Sequence, residues 1–155
     1  MDQNFTLTPI GRVTSTRDTP IDDDWDGIET SISLDGKQFS GDALMGLADF
    51  SHILVVYVFD RVSQAKITLG ARHPRGRTDW PMVGIFAQRG KNRPNRLGVT
   101  VCEVLGVDGL NVRVKGLDAI DGTPVLDIKP IMSGFERRGD LREPDWALEI
   151  MSDYW

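Results

Sequence analysis

"LGVTVCEVLGVDGLNVRVKGL", residues 97 to 117, decides how the rest of the chain is to be read. Apolar side chains alternate with others on both sides of Asp108-Gly109, in "LGVTVCEV" and again in "LNVRVKGL". Asp-Gly between two alternating runs is the strongest short-range signal of a β-hairpin, because the turn needs a positive backbone angle that glycine adopts freely. The same period of two recurs in "PIGRVTS" (9 to 15) and "GIETSISL" (27 to 34), so strands also precede the hairpin. "HILVVYVF" (52 to 59) is apolar throughout and reads as a strand covered on both faces; a buried helix is the alternative, but the run is short and rich in β-branched residues. "MVGIFAQ" and "PVLDIKP" add two more strands.

Helix is scarce. "GDALMGLADF" can start at Asp42 as N-cap and make about two turns, and "PDWALEIM" can make another with Pro144 in its first turn. Many short strands between Gly, Asp and Pro turns predict a mainly β protein, a small β-barrel with few short helices. The stretch from Gln64 to Pro81 has little pattern and is expected to leave the barrel as an excursion, functional or mobile. A length of 155 residues fits one domain, here taken as 1–155, that buries a core without disulfides or metals. The single cysteine, Cys102, falls between alternating valines and reads as a small buried hydrophobe. "MDQNFTLTPIG" lacks the basic-then-apolar order of a signal peptide, and no apolar run approaches the length of a membrane span. A soluble cytoplasmic protein is expected.

Charge is unevenly placed. The net charge is -5, yet from Arg72 to Arg96 seven Lys or Arg face one acid, Asp79, a local +6 that leaves -11 for the remainder. A basic island in an acidic body suggests one place where an anion is received. Its densest part, "GIFAQRGKNRPNRLG" (84 to 98), carries Arg89, Lys91, Arg93 and Arg96 with no acid among them. Pro94, Gly90 and Gly98 suggest a shaped turn, and arginine's planar fork suits carboxylates and phosphates. A solvated surface turn is the plainer alternative.

A second segment, "LDAIDGTPVLDIKP" (117 to 130), places Asp118, Asp121 and Asp127 in and beside an Asp-Gly-Thr-Pro turn. It can serve a ligand, or simply make turn hydrogen bonds to nearby backbone. Phosphate-binding and dinucleotide glycine fingerprints, a serine elbow and paired Cys-His spacings are all missing. His52 and His73 are too few for a typical zinc site unless carboxylates complete it, and no metal is expected.

Together, in this order, the two segments resemble the TsaA/TrmO family of S-adenosylmethionine-dependent tRNA methyltransferases. The family's "FATRSPFRPNPIG" stands here as "FAQRGKNRPNRLG", with Phe86, Ala87, Arg89, Arg93, Pro94, Asn95 and Gly98 in place. Its "LDLLDGTPVLDIKPY" is matched from Leu117 and Asp118 through Asp121, Gly122, Thr123 and Asp127 to Pro130. The resemblance covers about residues 9 to 131. Gln88 stands for the family threonine, Gly90-Lys91-Asn92 for Ser-Pro-Phe, Arg96 for proline and Ile131 for tyrosine. Longer bacterial members carry a C-terminal domain for which this chain has no length.

The resemblance implies a small barrel that binds S-adenosylmethionine, commonly as a homodimer, and methylates the exocyclic N6 amine of threonylcarbamoyladenosine in the tRNA anticodon loop. It assigns Phe86, Ala87, Gln88, Arg89, Arg93, Asn95, Leu117, Asp118, Asp121, Thr123 and His52 to the cofactor, and Asp118, Asp121 and Asp127 as candidate proton acceptors. Arg72, Arg75, Arg77, Lys91 and Arg96 would meet RNA phosphates, and Trp80 would either stack on an unpaired base or pack over the barrel. A small-molecule or different RNA acceptor, or a non-catalytic cofactor-binding barrel, are the alternatives. For residues 133–155 the sequence offers only a dimer contact or a lid.

Overall fold

The computed structural model describes residues 3–155. Its strands are β1 (Gly11–Ser15), β2 (Glu29–Leu34), β3 (His52–Val58), β4 (Ala71–Arg72), β5 (Val83–Gly84), β6 (Leu97–Asp108), β7 (Asn111–Lys115) and β8 (Pro124–Pro130). Six of them close a barrel in the order β1-β2-β7-β6-β3-β8, while β4 and β5 pair as a separate ribbon. The ladders β1·β2, β2·β7, β7·β6, β6·β3, β3·β8 and β8·β1 are all antiparallel, and a two-residue turn joins β6 to β7. The mainly β expectation holds.

The hairpin forms where its turn residues place it. Asp108 pairs with Asn111, and Gly109 takes a φ of 55° between them. Alternation then sorts the strands into an inner and an outer face: Val13, Ile32, Ile53, Val55, Tyr57, Cys102, Val112, Val114 and Val125 fill the interior. Cys102 is buried, as its place between valines implies.

Four local expectations need correction. The 52–59 strand is covered on one face only: Ile53, Val55 and Tyr57 are buried, Leu54, Val56 and Val58 half-buried, and His52 exposed. "MVGIFAQ" pairs only at Val83–Gly84 and then coils into a 3-10 turn at Ile85–Ala87, because the Gln88 side-chain amide folds back to donate to the carbonyls of Val83 and Arg72. "GDALMGLADF" makes two 3-10 turns, Gly41–Leu44 and Leu47–Asp49, preceded by Ser40 rather than capped by Asp42; Gly46, at a φ of 82°, breaks any continuous helix. The helix near the end, α1 (Asp145–Ile150), begins after Pro144 instead of including it.

The site depends on one end of the barrel. There β7 ends and β6 begins, so the segment linking β7 to β8 and the basic loop leading into β6 arrive together. Leu117 and Ala119 of the linking segment insert into the core, with Asp118 half-buried between them. No helix among the described residues is long and apolar enough to cross a membrane.

Candidate functional site

Tyr57 points inward from β3, and its ring fits only because residue 98 is glycine: a Cβ there would lie 2.4 Å from the ring. The phenol is thereby aimed at Asp118, donating to Oδ1 at 2.8 Å. Thr100, inward on β6, donates its hydroxyl to the same oxygen and lies 3.3 Å from the Tyr57 oxygen. The other carboxylate oxygen, Oδ2, accepts the hydroxyl of Tyr154, the residue before Trp155. Asp118 is thus clasped by three hydroxyls from three parts of the sequence.

Burial, and next the Asp118 charge, push the pKa of the Tyr57 phenol well above its ordinary value. The Tyr154 phenol is raised for the same reasons, with the nearby Arg89 charge acting in the opposite sense. Both phenols therefore remain protonated donors at neutral pH. Burial and the same carboxylate push the Cys102 thiol up to about 12, which leaves it unreactive.

The three aspartates do not form one group. Asp121 accepts the Ser15 backbone N–H at 3.0 Å and fastens the turn to β1. Asp127, on β8, accepts the N–H of Ile128 and pairs with Lys129 at 2.7 Å. Thr123 is buried and donates to the Ile120 carbonyl, and Leu117 belongs wholly to the core. At Asp121 and Thr123 the ordinary turn chemistry open in the sequence is what these side chains do.

In the basic loop the guanidinium groups mostly hold the loop itself. Arg89 donates to the Val99 carbonyl, Arg93 to Gln88 at 2.8 Å and Arg96 to Val62 at 2.8 Å. Asn95 and Arg96 adopt φ values of 62° and 54°, left-handed conformations that asparagine tolerates better than most residues. Phe86 is 77% exposed, and Ala87 is exposed beside it, while Ile85 and Gln88 on either side of the pair are buried.

The island of positive charge is partly neutralised in space. Arg75 makes a two-point contact with Asp23, Arg77 pairs with Asp79, and Lys91 lies 3.9 Å from Asp22. Arg72 rests its guanidinium on Gly90, where a Cβ would sit 2.5 Å from it, and its Nε is buried without a partner among the described residues. Trp80 is 4% exposed; the Arg77 guanidinium covers its ring and its indole N–H donates to Glu149. Of the two roles open to Trp80, packing is the one it fills.

His52 is exposed, with Nδ1 2.8 Å from the Ser51 hydroxyl. It shares a shallow groove with Val101, Cys102, Lys115, Gly116 and Trp155. The second histidine, His73, is bonded to the Trp80 carbonyl.

Sequence reading missed Tyr57, Thr100 and Tyr154. The parity of the strands carried a usable signal, since Tyr57 shares a face with Ile53 and Val55, and Thr100 with Cys102, so both hydroxyls had to point inward and find an acceptor. Nothing local marked Tyr154.

A closed antiparallel barrel, with a hydroxyl-clasped carboxylate on the segment that links β7 to β8, sets this fold apart from a doubly wound nucleotide-binding sheet. Residues 12–137 match the family described as tRNA-methyltransferase O N-terminal domain, and the chain belongs to that family. A probable S-adenosyl-L-methionine-binding protein of Methanothermobacter thermautotrophicus is 34% identical over 142 residues, which cover 89% of this chain and 98% of that one. The tRNA (adenine(37)-N6)-methyltransferase of Mus musculus is 37% identical over 99 residues, 64% of this chain but only 22% of the mouse protein. This chain therefore spans under a quarter of that mammalian relative's length. The crystal structure of TrmO from Pseudomonas aeruginosa superposes with a TM-score of 0.72 at 26% identity, covering 90% of this chain and 62% of that one.

Proposed function

We propose that this barrel binds S-adenosylmethionine and transfers its methyl group to tRNA, at the N6 position of threonylcarbamoyladenosine in the anticodon loop. The observation that carries the reading is that the two motifs converge on β6: Arg89, from one, donates to the Val99 carbonyl, and the adjacent Thr100 donates its hydroxyl to Asp118, from the other. The names of relatives similar to this chain, one a binding protein of nearly the same extent and one an adenine-N6 methyltransferase, support it.

The donor set suits the cofactor. Asp118 is a fixed acceptor for hydroxyl or amino groups, Arg89 can pair with a carboxylate, and the exposed ring of Phe86 offers a face for an adenine. When bound, S-adenosylmethionine supplies an electrophilic methyl group on a sulfonium, open to in-line displacement by a nitrogen. The work left to the chain is to align the two partners and exclude water. Tyr57 and Thr100 contribute by locking the Asp118 carboxylate in one orientation. Arg89 and Arg93 belong at the carboxylate end or at RNA phosphates, because a guanidinium against the sulfonium would be repelled. The acceptor amine must lose a proton, and of the three aspartates Asp118 is the one not committed to a backbone N–H or a lysine.

The chain acts as a cytoplasmic homodimer in this reading. Val99 and Val101, 38% and 44% exposed on the outer face of β6, give a second copy an apolar surface to cover.

A second reading, a barrel that binds the cofactor without methylating tRNA or that uses a smaller acceptor, is favoured by one observation: Arg75, Arg77 and Lys91 face their own acids. Mass spectrometry of nucleosides from tRNA lacking the modification, after incubation with the protein and S-adenosylmethionine, separates the two. A gain of one methyl group on threonylcarbamoyladenosine is expected; a binding-competent protein that leaves the nucleosides unchanged contradicts the tRNA reading.

A further inference from the structure

The family match ends at residue 137, but the chain beyond it reaches back into the site. Residues 132–145 are exposed throughout, and α1, six residues long, buries no side chain. The last residues nevertheless dock: the backbone N–H groups of Asp24 and Trp25 donate to the carbonyls of Asp153 and Tyr154 at 2.9 and 2.8 Å. Tyr154 then bonds to Asp118 Oδ2, and Trp155, edge-on to Tyr154, lies in the groove beside His52 and Gly116.

The two carboxylate oxygens are used differently. Oδ1 is held by Tyr57 and Thr100, side chains of the barrel wall. Oδ2 receives a hydroxyl only from the tail among the described residues. A ligand hydroxyl or amine that used Asp118 as acceptor would need this second oxygen, and an adenine placed against the groove would meet Trp155.

We propose that Tyr154 and Trp155 form a tethered plug that imitates the ligand and must leave when S-adenosylmethionine binds. The inference rests on the cofactor reading above. Its physical basis is the contrast in anchoring. The tail is held by two backbone hydrogen bonds, the Tyr154 hydroxyl, the Glu149 contact to Trp80 and a Trp155 ring that stays 49% exposed, a set of the size that opens locally without global unfolding. The barrel residues that hold Oδ1 would stay in place. The apparent affinity is then reduced by the fraction of molecules in which the plug is seated.

The test is calorimetric titration of the full chain and of Tyr154→Phe with S-adenosylmethionine, alongside hydrogen exchange of the Asp24 and Trp25 amides in the unsubstituted chain. Loss of one hydrogen bond to a carboxylate should weaken the plug so that Tyr154→Phe binds about tenfold more tightly. Saturating S-adenosylmethionine should make the two amides exchange faster. Equal or weaker binding by the variant, or amides that become better protected on saturation, overturns the plug while leaving cofactor binding intact. No binding by either folded protein overturns the cofactor reading and the plug with it.

Discussion

Asp118 is the residue on which the site turns, and its surroundings can be probed one hydroxyl at a time. Tyr57→Phe removes a hydrogen bond to a carboxylate in the barrel interior and should cost about 2 kcal/mol of stability, read from the urea midpoint; an unchanged midpoint would mean that the clasp does not hold in solution. Asn95→Gly should leave stability close to that of the original protein, whereas Asn95→Val should lose about 1–2 kcal/mol, because a β-branched side chain is forced into the left-handed conformation seen at φ 62°. Cys102 supplies a pH dependence. Its thiol is raised from an ordinary 9.0 to about 12, so the native state keeps a proton that the unfolded chain releases. Stability is therefore fully present below pH 9 and declines as pH rises toward 12, with the raised Tyr57 and Tyr154 phenols adding in the same direction. A urea midpoint that does not fall across this alkaline range would contradict the assignment.

At the scale of elements, the contact between β3 and β6 fixes the site. Gly98→Ala places a methyl group into the Tyr57 ring, so both strands must shift; a loss of about 2 kcal/mol is expected, together with weaker binding of any ligand that uses Asp118. The elements most legible in the sequence were those whose information is local. Asp108-Gly109 specified its hairpin because the turn and both flanking alternations lie within one short stretch. The 41–50 segment was misread because Gly46 adopts a left-handed φ that helical spacing does not reveal. The strand at 82–88 was overextended because Gln88 uses a side-chain amide where a ladder would use backbone. The two motifs were visible one at a time, yet the clasp around Asp118 required the register of β3 against β6 and the arrival of Tyr154, neither of which is written in either motif.

For the whole molecule, the distribution of charge illustrates the same limit. The run from Arg72 to Arg96 is basic in sequence, but Asp22 and Asp23 meet it in space, and several guanidinium groups donate to backbone carbonyls. Affinity for tRNA should therefore fall with added salt, with a slope below that of seven free cations, since each phosphate neutralised contributes about 0.9 to the logarithmic slope on a duplex. Binding indifferent to salt would argue against phosphate contacts altogether.

The central claim is that the barrel end around Asp118 and Arg89 receives S-adenosylmethionine. Calorimetric titration of the full chain with S-adenosylmethionine, using ATP as the competing adenine ligand, tests it most directly. Saturable binding of S-adenosylmethionine that ATP does not displace, abolished in a folded Asp118→Ala variant, is the predicted result. Absence of binding by the folded protein, or binding that ATP displaces equally well, would contradict it.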